Sequence, residues 1–189
     1  FYGRFEITAQ RFGIDGLLQK WVQPPNRKSL DIRSFSAYLT LVQSAAHAYI
    51  GNFTLQRKEE AAEMRADCLI WEHDPMLGRI PVIRSETTKT DPDSDARWPT
   101  SPSVEMAVEA AGVVAKLRMR CAAANPKVNC SDYDKTNPYL FHAAFEPWSA
   151  AAIEWKPYAT RAQVGSYQSL LRRFPRLFDA EQRRITEND

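Results

Sequence analysis

The sequence predicts an α+β chain, mostly helical, with a small three-stranded antiparallel sheet set between helices. Two observations about periodicity predict it. Apolar residues recur at spacings of three and four over residues 32–49 and again over 104–117, the period of a helix with a buried face. Between those stretches, Cys68-Leu69-Ile70-Trp71 and Ile80-Pro81-Val82-Ile83 are short apolar runs. The turn-rich Asp74-Pro75-Met76-Leu77-Gly78 separates them, which is a strand–turn–strand signature. Composition agrees: 44% of the 189 residues are hydrophobic and 25% charged, ordinary values for a globular chain that exclude disorder, collagen and coiled coil.

The elements follow in order. Ile7, Phe12, Ile14, Leu17, Leu18 and Val22 supply the apolar positions of a short helical piece. Pro24-Pro25-Asn26-Arg27-Lys28 stops it and reads as a linker. The expected division is therefore 1–28, the end of a preceding segment, and 29–189, a domain that begins here. Ile32, Phe35, Leu39, Val42, Ala46 and Tyr49 then share one helix face. Ser29 or Asp31 caps its start, and Gly51-Asn52 is its expected end. A second helix is expected from about 54 to 66, where Ala61, Ala62 and Met64 have good propensity.

The sheet comes next. Thr87-Thr88-Lys89-Thr90 continues the second strand outward, and Asp91-Pro92-Asp93-Ser94-Asp95 is expected to be an exposed turn. Arg97-Trp98-Pro99 forms a brief third strand at the edge, ended by its proline. Ser101-Pro102 is expected to start a long helix, with Ser as N-cap and Pro at the first helical position. Two apolar stripes run along it: Val104, Ala107, Val108, Ala111 and Val114, then Met106, Ala110, Val113 and Leu117. Two stripes predict burial on more than one side. The helix should end near Asn125-Pro126. Short helices in loops are expected over 127–158, a further helix over 161–174, and a polar tail over 179–189.

Several functions are excluded early. No run of apolar residues is long enough for a membrane span. Three scattered cysteines make no disulfide scaffold and point to a reduced, cytoplasmic compartment. His47, His73 and His142 are far apart, with no ligand spacing for zinc. No Gly-rich phosphate loop occurs either. The 25 Lys+Arg against 23 Asp+Glu leave a net charge of +2, which makes local clustering the deciding quantity for an anionic partner.

The stretch richest in chemistry is Leu55-Gln56-Arg57-Lys58-Glu59-Glu60-Ala61-Ala62-Glu63-Met64-Arg65-Ala66-Asp67-Cys68-Leu69. An Arg opens a helix, an acid follows three residues on, and an Asp precedes a strand. Then come Glu86-Thr87-Thr88-Lys89-Thr90, a loop, and Arg97-Trp98-Pro99. In this order, over residues 30–120, the chain resembles the start of the catalytic domain of the tyrosine recombinases, the phage-integrase family.

The resemblance implies site-specific DNA recombination or integration on double-stranded DNA, with self-association on that DNA in the full-length protein, and with no metal, nucleotide or redox cofactor, in agreement with the missing Gly-rich loop and metal-ligand spacing. Arg57 would be the first catalytic arginine, a planar donor to the scissile phosphate, where negative charge builds. Lys89, 32 residues later, would be the hairpin lysine that protonates the departing 5′-hydroxyl. Glu60 would support the site by orienting arginine side chains. No H-x-x-R occurs: the third residues after His47, His73 and His142 are Ile50, Met76 and Phe145. The nucleophilic tyrosine is therefore expected outside these residues, and the chain alone is expected to be inactive.

Two competing readings stand beside this one. Arg57 and Lys89 can be solvated surface charges on a non-enzymatic helical protein-binding module. The run Arg172-Arg173, Arg176 and Arg183-Arg184 can touch a DNA backbone or simply face water.

Overall fold

Helix α3 organises the molecule. The computed structural model of the chain describes residues 3–22, 29–87 and 92–147, with Gln168 and residues 179–180 and 183–184 besides. Two helices of about two turns each come first, α1 (Phe5–Arg11) and α2 (Asp15–Trp21). Gly13 separates them at φ 66°. α3 then runs Ile32–Thr54. Asp31 caps it: its carboxylate accepts the Ser34 backbone N–H at 3.0 Å. Leu18, Val22 and Leu30 form a cluster with Phe35, Tyr38 and Leu41 of α3.

The expected end of α3 at Gly51-Asn52 is corrected. Both residues stay helical, and the chain turns at Leu55, a non-glycine in the left-handed region at φ 54°. The second helix is also shorter than its propensity predicts. α4 covers only Lys58–Ala62, because the chain beyond it is drawn into an extended pairing: Leu140 N–H donates to the Met64 carbonyl, and Ala66 N–H to the Pro138 carbonyl.

Three strands form an antiparallel meander in the order β1-β2-β3, as expected. They are β1 (Leu69–Asp74), β2 (Gly78–Thr87) and β3 (Asp93–Pro99). Asp74 builds the first turn by accepting the N–H groups of Met76 and Leu77, both at 2.8 Å. Gly78 closes that turn at φ 76°, where a side chain would be strained. Between β2 and β3, Ile83 faces Trp98 and Thr87 faces Asp93, with a register shift between Ser85 and Thr87. β3 thus begins at Asp93, so Asp93-Ser94-Asp95 is exposed strand and not turn. An edge strand tolerates charge there because one side of it meets water.

The long helix α5 spans Val104–Ala123, with Ser103 and not Ser101 as its N-cap residue. Tyr49 of α3 donates its hydroxyl proton to Ser103 Oγ at 2.9 Å. Ala46 and Ile50 of α3, Ala61 of α4, Ile83 of β2, and Val104, Val108 and Ala111 of α5 close one core around Met64, Leu140 and Phe141. The sheet therefore packs one face against the helices. The second predicted stripe of α5 is not buried: Met106, Ala110, Val113 and Leu117 are all exposed.

A buried charge ties the helices to the chain that follows them. Arg118 is 1% exposed and donates to Glu146 Oε1 at 3.1 Å, Gln43 Oε1 at 2.6 Å and Thr40 Oγ1 at 2.8 Å. α6 (Asp132–Thr136) is one of the short helices expected in this region. A two-residue ladder pairs β4 (Asp179–Ala180) with β5 (Arg183–Arg184). The expected linker at 24–28 and helix at 161–174 lie outside the described residues, Gln168 excepted.

Candidate functional site

The candidate site starts where α3 stops. The left-handed turn at Leu55 redirects the chain so that Arg57, extended at φ −65° and ψ 150°, sits at the N-cap position of α4. Glu60, one turn on, reaches back and accepts the Arg57 backbone N–H at 2.8 Å through Oε2. Its other oxygen, Oε1, accepts the Thr87 hydroxyl at 3.0 Å. The Glu60 backbone carbonyl accepts the Ser85 hydroxyl at 2.8 Å. One acid therefore clamps the head of α4 onto the outer end of β2.

Arg57 itself is only loosely engaged. Its Nη1 stands 3.8 Å from Glu60 Oε1, and its side chain is 55% exposed. Beyond hydrogen-bond distance, that pair is a weak restraint, and surface pairs of this kind contribute little. The guanidinium keeps its planar fork of donors open to an anion. The contrast with the neighbouring arginines is plain. Arg65 is bound to Asp134 at 2.6 Å and to the Asn137 carbonyl at 3.1 Å. It also stacks 3.5 Å from the Tyr139 ring centroid, with Tyr133 at 5.1 Å. Arg97 pairs with Asp95 at 2.7 Å and with Glu72. These arginines are structural.

Glu60 is where the sequence places it, beside Arg57 and mostly buried. Lys89 lies outside the described residues, which stop at Thr87 and resume at Pro92. The side chains of the basic run 172–184 lie outside them as well. The tether from Ser85 and Thr87 to Glu60 was missed in the sequence. Its only trace there is a hydroxyl at every second position where an apolar strand runs out.

A cavity of about 340 Å³ opens beside the clamp, lined by Ser85 together with Arg65, Arg84, Glu63, Glu86 and Tyr139 among others. Arg57 is not part of it. Burial, with Glu86 nearby, pushes the Glu63 carboxyl above its ordinary range. Burial also pushes the Tyr139 phenol up, so this tyrosine is held protonated and is no activated nucleophile. Cys68 is pushed up to about 12 by burial and is inert. His47 and His142 are held down to about 4 and about 3 by burial, which leaves them neutral and out of general-base work. Among the described residues, no three His, Cys, Asp or Glu gather to hold a metal, and no helix is long and apolar enough to cross a membrane.

Comparisons with protein-family models, with curated proteins and with solved structures return no match.

Proposed function

We propose that this chain supplies the front portion of a DNA strand-exchange domain of the tyrosine-recombinase type. What supports the reading is one carboxylate. Glu60 holds Arg57 by its backbone and Thr87 by its hydroxyl, so the helix bearing the arginine and the strand leading to Lys89 meet at a single point. Lys89 is two residues beyond Thr87, and two residues of chain reach at most about 7 Å.

The chemistry follows from the groups. Double-stranded DNA presents a phosphodiester to the exposed Arg57 fork, which neutralises charge on the non-bridging oxygens as a pentavalent transition state forms. A tyrosine hydroxyl gives its proton to water as its oxygen attacks phosphorus, the bond to the 5′-oxygen breaks, and Lys89 gives that oxygen a proton. The bond energy is kept in a 3′-phosphotyrosine, so no metal or nucleotide is consumed. The proposal assigns the nucleophile to chain beyond this sequence, because residues 1–189 carry no H-x-x-R.

Salt titration of duplex binding tests the reading. The chain should bind DNA with an affinity that falls as salt rises. Arg57→Ala should lower the slope by about one ion, as the loss of one phosphate contact does. No covalent protein–DNA adduct should form. Salt-independent binding, or binding that ignores Arg57, would contradict it. The second reading, a helical protein-binding module, draws on one observation: the apolar stripe that α5 leaves in water.

A further inference from the structure

That stripe carries a pattern. Met106 is 76% and Val113 70% exposed, and Ala110 and Leu117 complete the row. Beside them on the outer face lie Glu105, Glu109, Lys116 and Arg120, all exposed. At 100° per residue, the four apolar positions fall within a narrow sector, and the four charges fall together along one flank of it. Acids occupy the N-terminal half of that flank and bases the C-terminal half. Within the described residues, no ion pair holds any of the four.

The order is self-complementary when a second α5 runs the other way. Glu105 then faces Arg120 and Glu109 faces Lys116, both pairs centred between Gly112 and Val113. Met106 falls opposite Leu117, and Ala110 opposite Val113, centred between Ala111 and Gly112. The two centres differ by one residue, about 1.5 Å of helix rise. A twofold axis across the helix pair keeps each charged flank on the same side of the seam, so acid meets base at every pair. The helix dipole accounts for Glu105 in the first turn and Arg120 in the last. Its effect fades within one turn and leaves Glu109 and Lys116 unexplained. Within a single helix the arrangement is unfavourable, since Glu105–Glu109 and Lys116–Arg120 are like charges four apart.

We propose that the outer face of α5 is an isologous docking surface for the same face of a second copy of this chain, with the two helices antiparallel. The apolar row is the seam, and the four acid–base pairs of the twofold fix its direction. The row spans about 16 Å of helix, so the interface is small, and the dimer is weak, with a dissociation constant on the order of 100 μM. The surface is independent of the DNA reading and needs no DNA to act.

Sedimentation velocity of the 189-residue chain, without DNA and over a wide concentration range, tests it. The mass should rise from 21.6 kDa toward twice that value and fall back in high salt. Val113→Asp places a charge on the seam and should raise the dissociation constant about tenfold or more. Glu109→Lys alone and Lys116→Glu alone should each weaken the dimer. The two together should restore it, because the pairs re-form with their signs exchanged. A monomer at every concentration overturns the proposal. That includes the case in which Val113→Asp lowers the melting temperature of the monomer because residues 148–189 cover the row within one chain. A dimer indifferent to Val113→Asp, or a double exchange that rescues nothing, overturns it equally.

Discussion

Arg57 and Arg118 show how the same side chain serves two ends. Arg57 is half exposed and held only at 3.8 Å, so its removal should cost the fold little. Arg57→Ala should shift the urea midpoint by less than about 0.5 kcal/mol of stability while weakening duplex binding about fivefold or more. Arg118 is the reverse case. Arg118→Met strips the buried Glu146 carboxylate of its guanidinium partner, and should cost about 3 kcal/mol or more in denaturant unfolding. Pairing it with Glu146→Leu should recover much of that loss, because no buried charge is then left behind. Glu60→Ala removes the acceptor of both the Arg57 N–H and the Thr87 hydroxyl, and should cost about 1–3 kcal/mol. The buried histidines set a pH window. His142 is held down to about 3 and His47 to about 4, against 6.5 unfolded. The unfolded chain takes up protons that the folded chain refuses. Their contribution is complete above the unfolded value and is lost as pH falls from 6.5 through 4 toward 3. The urea midpoint should therefore drop between about pH 7 and pH 5, and His142→Asn should flatten that drop.

Elements were legible where local chemistry alone decides them. The Asp74 turn, the left-handed Gly78 and the apolar runs of β1 and β2 stand in the sequence nearly as they stand in the structure. Gly78→Ala should cost about 1 kcal/mol in thermal unfolding, since its φ of 76° strains any side chain. Elements failed where the folded chain overrides the local signal. α3 runs through Gly51-Asn52 because its carbonyls continue the ladder as far as Gly51, which Leu55 N–H satisfies at 2.9 Å. α4 stops at Ala62 because Pro138 and Leu140, more than seventy positions on, bond the backbone just past it at Ala66 and Met64. The outer row of α5 reads as a second buried stripe by period alone, yet nothing among the described residues covers it. Of the site, Arg57 and Glu60 were readable as a helix start with an acid one turn on. The hydroxyl bridge from β2 was not, because only the folded register brings Thr87 to Glu60.

At the scale of the molecule, α4 and the sheet meet at Glu60, and the Arg57 backbone and the hairpin strand are fastened to the same acid. On the proposed reading, Arg57 and the lysine two residues past Thr87 grip one phosphodiester, and their contributions to duplex binding should then be coupled. A double-mutant cycle on duplex affinity measures that cooperation most directly, using Arg57→Ala, Lys89→Ala and the pair, at one low salt concentration. Two cations on one phosphate should couple by about 0.5 kcal/mol or more, so that the second loss costs less than the first. Losses that simply add, or a duplex affinity that neither variant alters, would contradict a shared phosphate.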